Sequence, residues 1–521
     1  MYKYSLSGFL VLILSCLLNS AVLGSQFPAP SLTAGKSAKK IVSNILSFGA
    51  KGDGITLNTT VIQSAIDSLA DAGGGKLVFP AGRFLSGSIV LKSGVELSFQ
   101  KNAILLGSTN PDHYKSLNRW KALILADGQT NIAISGKGTI DGQGRRLALN
   151  VDSLFYVGKL DSQYYNLRRK RPNEFMRPQN IEMVNCKNVR ITGVTVKNAS
   201  CWVQTYDLCD NLVIDSIRVE SDAYWNNDGI DISDCRNVRV TNSFVNSADD
   251  GICLKSHATD HWNDSIYIAN CTVRSSASAI KFGTASSGGF KNVTIENIKV
   301  YDTFRSAIAI ESVDGGILEN IRVSNIVATN TGNAIFIRLG HRNTEGKVGV
   351  LRNVSITNVK VEIPFGRPDQ NYEVRGPDLP FFHNPFPCSI TGVPGHMVEN
   401  VTLENIEISF PGRGNNGLAV LPLNRLKDVP EVEAEYPEFS MFGELPAWAF
   451  YVRHVNGLSM KNITVKAAAK DYRPAFVFDD VANLIITKLV IHENDPDKQI
   501  ILRNVKNSEI DVNPKLMKIV E

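Results

Sequence analysis

The sequence predicts an all-β chain, a right-handed single-stranded parallel β-helix with an N-terminal capping helix. One six-residue pattern recurs five times, as Asp228–Ser233, Asp250–Lys255, Ser278–Gly283, Ser306–Glu311 and Asn333–Arg338, at spacings of 22, 28, 28 and 27 residues. Recurrence at roughly 20–50 residues marks stacked units, none able to bury its apolar face alone. Each copy has Ile at its third place and Ile, Leu or Phe at its fifth, the period-two inward face of a strand. A second observation is the strand opening of Asn followed by Val, Ile or Leu, at Asn131, Asn188, Asn211, Asn237, Asn292, Asn320, Asn353, Asn400 and Asn483. Asparagine tolerates turn geometry and bonds the backbone or a neighbouring coil. A third is the lack of long helical patterns between these openings, which suits parallel coils with short connections.

The elements follow in order. Lys3 precedes the apolar run Phe9–Leu18, and small residues near Gly24 suit cleavage, so residues 1–24 read as an export signal. The run is too short for a spanning helix, although Cys16 leaves lipid modification open. A periplasmic, cell-surface or extracellular protein is expected. Residues 25–125 form a cap and the first coils: the turn Phe48–Gly54, a helix opened by Asn58 with Ile62, Ala65, Ile66 and Leu69 on one face, and a stop at Gly73–Gly75. Short strands are expected at Lys76–Phe79, Ser88–Leu91 and Val95–Phe99. Residues 126–521 are the β-helix proper. Proline-rich stretches at 364–394 and 411–446 break its rhythm and read as insertions lining a cleft. Strand-like segments after Asn483 close the stack.

A chain of 521 residues with 43% hydrophobic content buries a large core, and a solenoid grows without starting new ones. The net charge of +4 permits an acidic polymer as ligand. It gives no nucleic-acid signature, and the one basic run, Arg168–Arg171, reads as a solvated loop. A monomer is expected. Cys186, Cys209 and Cys235 each stand two places before a strand-opening Asn. They share one column and read as stacked buried thiols rather than disulfides. No cysteine or histidine spacing suggests a metal.

Three carboxylates gather in two adjacent copies: Asp228 in one, Asp249 and Asp250 in the next. Coils stack about 4.8 Å apart, so alignment puts Asp228 beneath Asp250 with Asp249 beside it. Such crowding raises at least one pKa. Glycoside cleavage needs that split, with one acid protonating the leaving oxygen and one carboxylate activating water. A calcium-binding or solvated turn is the bland rival.

With these motifs the chain resembles glycoside hydrolase family 28, the polygalacturonase and rhamnogalacturonan hydrolase family of pectin-degrading enzymes. The likeness takes in Phe48–Gly54, Val78–Gly82, Ile140–Gly144 and the core coils. It implies a pectin-lyase-like β-helix, an inverting mechanism, an acidic polysaccharide as substrate and no required cofactor. The family's Asn-Thr-Asp motif matches Asn226, Asn227 and Asp228, and its Asp pair matches Asp249 and Asp250. By that resemblance Asp249 is the general acid, and Asp228 and Asp250 position or deprotonate water.

The departures shape the substrate expectation. Ala277–Ala279 replaces the family's Gly-His-Gly, and Ala309–Glu311 replaces its Arg-Ile-Lys. A site that lost two cations and gained Glu311 should repel a uronate on the leaving-group side. A neutral sugar there, as in rhamnogalacturonan, is expected; homogalacturonan cleavage, exo or endo, is the alternative. Lys255, Lys281 and Arg338 are outward cations that could hold a carboxylate. Asn227, Trp225, His257 and Trp262 complete the expected contacts, with Trp202 and Tyr224 as further stacking faces. A polysaccharide lyase and a non-catalytic binding β-helix remain competing classes.

Overall fold

The computed structural model describes residues 41–368, 386–414, 421–492 and 499–521. The expected export signal at 1–24, Cys16 included, and parts of both insertions lie outside these residues. Among the described residues the chain coils from Ile41 to Val520 as a parallel β-helix. Its paired strands run parallel, apart from the short hairpin of Tyr165–Asn166 with Arg171–Pro172.

Helix α1, Thr59–Asp71, buries Ile62, Ala65, Ile66 and Leu69 as its periodicity requires. It packs on strands Gly75–Phe79, Ile89–Val90 and Val95–Phe99 at the first coils. Its end is set by amides of Gly73 and Gly74, which donate to the carbonyls of Ala70 and Leu69 at 2.9 and 2.8 Å. Asn58 precedes the helix but does not cap it. Its side chain instead clasps the Phe48–Gly54 turn, accepting from the Lys51 amide at 2.8 Å and donating to the Lys51 carbonyl at 3.0 Å.

The repeat spacing is the register. Ile230 pairs with Ile252, Ile252 with Ile280, Ile280 with Ile308, and Ile308 with Ile335, so one isoleucine column fills the core. The corners are asparagines with left-handed backbones, such as Asn270, Asn297 and Asn325 at φ 56°, 57° and 56°, a region costly for most side chains. Each amide reaches its neighbour one coil away: Asn297 Nδ2 donates to Asn270 Oδ1 at 3.2 Å and Asn325 Nδ2 to Asn297 Oδ1 at 3.0 Å. The cysteine column also stacks as expected. Cys186, Cys209 and Cys235 are buried free thiols, and the Cys209 amide donates to Cys235 Sγ at 3.3 Å.

Two features depart from the expectation. A second helix, α2, Gly144–Tyr156, interrupts the coils and buries Leu147, Ala148 and Val151. The second departure concerns the insertions. Residues 388–391 are a solenoid strand, paired with Phe336–Arg338 and Phe450–Arg453, so the first insertion ends earlier than 394. Residues 421–448 lie across the outward face of the later coils. There Leu426, Val429, Phe439, Phe442 and Leu445 cluster with outward-facing Ala309, Phe336, Tyr451, Val477 and Ile501. Alternation therefore tells which way a side chain points but not whether water meets it.

Candidate active site

Asp228 and Asp250 occupy the same place on successive coils: the pairing of Ile230 with Ile252 sets the register, and the Gly229 amide donates to the Asp250 carbonyl at 2.9 Å. Glycine follows each aspartate because a Cβ on Gly229 would lie 2.6 Å from the Gly251 carbonyl oxygen, and one on Gly251 2.6 Å from that of Ala279. The hydroxyls of Ser247 and Ser275 donate to the Asp249 carbonyl at 2.8 and 2.6 Å and fix the turn that aims this carboxylate. Asp250 accepts from the Ser278 amide at 3.1 Å and faces Lys281 Nζ at 3.5 Å.

Lysines sort the charge. Lys255 Nζ donates to Asp228 Oδ2 at 2.7 Å and to Asp231 Oδ1 at 2.6 Å. Asp228, Asp231 and Cys253 bring potential ligand atoms within 4.8 Å of one another, and the cation set among them is this ammonium. Burial pushes the Asp228 carboxyl up to about 7, with Lys255 opposing the rise. Burial, followed by the charges of Asp228 and Asp250, raises Asp249 to about 7 as well. Asp228 has the Lys255 ammonium in hydrogen-bond contact, which favours its charged form.

On the side of the following coils, Lys281 is buried between Asp250 and Glu311, at 3.5 and 3.6 Å, and donates to Tyr436 Oη at 3.4 Å. Burial, then the Asp250 charge against the pull of Lys281, leaves Glu311 at about 8. Arg305 stands two coils beyond Asp249 in its column, its amide bonded to the Ala277 carbonyl at 2.9 Å, and Arg305 Nη1 pairs with Glu438 Oε2 at 2.8 Å. Arg305, Tyr436 and Glu438 escaped sequence reasoning, because residues 421–448 carry no repeat and Arg305 precedes the repeated hexamer by one place. Asp231 lies in the Lys281 column, two coils below it.

Burial separates contacts from braces among the expected residues. Arg338 is 1% exposed and donates to the carbonyls of Gly392, Glu431 and Val432 at 2.9, 2.7 and 3.2 Å. It anchors the crossing segment and is not open to a substrate carboxylate. Glu311 and Lys281, 2% and 1% exposed, are likewise sealed beside each other, so burial corrects both the repulsion expected of Glu311 and the open carboxylate contact expected of Lys281. Asn227 is buried with both ends of its amide used, accepting from Ser221 Oγ at 2.9 Å and donating to the Cys201 carbonyl at 2.7 Å. It braces the turn before Asp228. Trp225 is half-buried under the Arg171 guanidinium at 4.9 Å. Trp262 lies under Arg236 and Lys291, 5.2 and 4.2 Å from its ring, and is not brought to the carboxylates. His257 is exposed at the rim of a cavity that Lys255 also lines.

That cavity, about 100 Å³, opens beside Asp231 and Lys255 on the side of the preceding coils, with Trp120 and Trp202 among its walls. The two rings meet edge-on at 4.5 Å. Glu182 and Asp207 also line it, and burial raises them to about 7 and about 6. Asp249, Lys255, Arg305, Tyr436 and the cavity rim retain solvent access, and Asp228 and Asp250 keep 4% and 5% of theirs. These can meet a substrate; the sealed residues set their positions.

Residues 71–373 match the model of glycosyl hydrolases family 28. An exo-poly-alpha-D-galacturonosidase of Dickeya chrysanthemi is 26% identical over 61% of this chain and 60% of its own. An endo-polygalacturonase of Pectobacterium carotovorum subsp. carotovorum is 26% identical over 65% of this chain and 85% of its own. The chain spans 60% of the length of the Dickeya protein and of a Vitis vinifera relative. In structure it resembles a family 28 exopolygalacturonase of Yersinia enterocolitica, with a TM-score of 0.63, 21% identity, and coverage of 92% of this chain and 80% of that one.

Proposed function

Because the chain belongs to glycosyl hydrolases family 28, we propose that it hydrolyses α-galacturonosidic bonds in pectin with inversion. The observation that carries the reading is the grouping of Asp228, Asp249 and Asp250, with Lys255 2.7 Å from one of them. Asp249 holds the proton and delivers it to the glycosidic oxygen. Asp228, kept anionic by Lys255, and Asp250 align and deprotonate water on the opposite face of the sugar. The anomeric carbon is attacked from behind the breaking bond, so its configuration inverts.

We place a neutral sugar on the leaving-group side, as in rhamnogalacturonan. Lys281 faces two carboxylates, Arg305 pairs with Glu438 at 2.8 Å, and Arg342 pairs with Asp314 at 2.8 Å. Cations spent this way leave little attraction for a second uronate. Residues 421–448 fill the outward face beyond Ala309, which favours attack near a chain end. An exported monomer suits such a polymer and the signal expected at 1–24. No helix among the described residues is long and apolar enough to cross a membrane.

The test is digestion of rhamnogalacturonan oligosaccharides and of polygalacturonan, with product anomers followed by NMR. The β-anomer of galacturonate should appear first, and faster from rhamnogalacturonan. A product absorbing as an unsaturated uronate would instead make the protein a lyase. Preferred turnover of polygalacturonan would move the substrate to homogalacturonan, and a rapid viscosity drop would exclude chain-end action.

A further inference from the structure

Resting on that hydrolase reading, we infer that Arg177 is a positioning residue for the reaction: its buried guanidinium clamps the turn at 224–227 and thereby aims the Asp228 carboxylate. It acts through the backbone of that turn and not on the sugar.

The guanidinium sits where the turns of three successive coils meet. Strands Gln179–Val184, Gln204–Asp207 and Ile230–Ser233 pair side by side in that order, and Arg177 stands just before the first. Its side chain reaches the turns ahead of the other two. A guanidinium has five N–H donors, and here each has an acceptor. Nε donates to the Pro172 carbonyl at 3.1 Å. Nη1 donates to the carbonyls of Ser200 and Trp225 at 3.0 and 2.7 Å. Nη2 donates to Glu174 Oε1 at 3.2 Å and to Asn226 Oδ1 at 2.9 Å. Arg177 itself is 1% exposed.

The contacts with Trp225 and Asn226 fall on the residues that lead into Asp228. Asn226 has a φ of 57°, a left-handed backbone costly for most side chains, so the turn needs an outside hold. Beyond the turn the Asp228 carbonyl accepts from the Val203 amide at 2.9 Å. Backbone fixed on both sides sets the direction in which the carboxylate leaves the chain, toward Lys255 at 2.7 Å.

The hold comes from residues 171–177, which carry no repeat. Arg171, expected in a solvated basic loop, is instead 2% exposed and lies over the Trp225 ring at 4.9 Å. It shares Glu174 Oε1 with Arg177, each at 3.2 Å. One carboxylate thus ties a guanidinium on the Trp225 ring to another on the Trp225 carbonyl. A lysine could not replace Arg177, because a point ammonium lacks the planar fork that spans these acceptors.

Kinetics and a crystal structure of Arg177→Lys test this. A misplacement of about 1 Å costs about 10²-fold in rate. The variant should therefore lose about 10²-fold in kcat on rhamnogalacturonan or polygalacturonan fragments, with KM within twofold, and its crystal structure should show Asp228 displaced from Lys255. Asn226→Gly keeps the left-handed backbone and removes one acceptor, so it should lower kcat by a smaller factor. Added to Arg177→Lys it should cost nothing more, since both act through one contact. Melting temperatures report the folding of each variant. An unmoved Asp228 in Arg177→Lys, a loss confined to KM, or independent losses in the double variant would overturn the inference. Should Arg177→Lys not fold, an unchanged kcat in Asn226→Gly would overturn it. No turnover of any pectin by the unaltered protein would discard the hydrolase reading, and the position of Asp228 in the crystal would then decide the clamp alone.

Discussion

Lys255 Nζ lies 2.7 Å from Asp228 Oδ2, and this contact favours the charged form of that carboxylate. It also makes the lysine a structural member of the site, because its other partner, Asp231, is 1% exposed. Lys255→Met should destabilise the chain by about 3–5 kcal/mol, the loss expected when buried carboxylates lose their counter-ion. In whatever folds, the acid limb of the pH–rate profile should move to higher pH, since Asp228 would hold its proton longer. Urea unfolding and kcat/KM against pH measure the two effects. An unmoved acid limb would separate Lys255 from the chemistry.

Asp249→Asn should lower turnover roughly 10²–10⁴-fold, the range for loss of a general acid. Folding should be untouched or slightly favoured, because a buried carboxylate raised to about 7 is removed. Reducing-sugar release and thermal melting, run on one preparation, report both.

Glu438→Gln should release Arg305 from its partner at 2.8 Å. The leaving-group side then gains one net positive charge. The KM for oligogalacturonate should fall severalfold while that for rhamnogalacturonan fragments changes little. The same KM ratio as in the unaltered protein would show that the Arg305–Glu438 pair does not set sugar choice.

Stability should fall as pH rises across the neutral range. Glu311 goes from an ordinary carboxyl value of 4.5 to about 8 on folding, chiefly through burial. Asp249 goes from 3.8 to about 7 for the same first cause. Between each pair of values the folded chain holds more protons than the unfolded one, so the free energy of unfolding decreases with pH. Melting temperature against pH should slope downward from about 5 to 8. Glu311→Gln should flatten the upper part of that slope.

Asn297→Ala should cost about 2 kcal/mol, combining left-handed strain on a side chain with a lost ladder contact. Asn297→Gly should recover the strain part only. Chemical denaturation of the three proteins gives the comparison.

The stack was legible because its period is written in the residues: the hexamer spacing became the strand register, and Asp228 fell beneath Asp250. The column of Cys186, Cys209 and Cys235 and the buried face of α1 were legible for the same reason. Arg338, Glu311 and Asn227 were misread as contacts because an alternating pattern gives direction only. What seals them comes from residues 421–448, or, for Asn227, from a turn whose amide bonds are not periodic. The cavity was invisible for a related reason: Trp120 and Glu182 are 62 positions apart and meet through a single hydrogen bond.

Residues 421–448 put Tyr436 and Glu438 onto coils built far earlier in the chain, and they do so from outside the ladder. Under the proposed function, selectivity would be held on a ribbon outside the ladder, where change leaves every rung with its partner. Closely related chains with the same acids could differ in the polymer they attack by this ribbon alone.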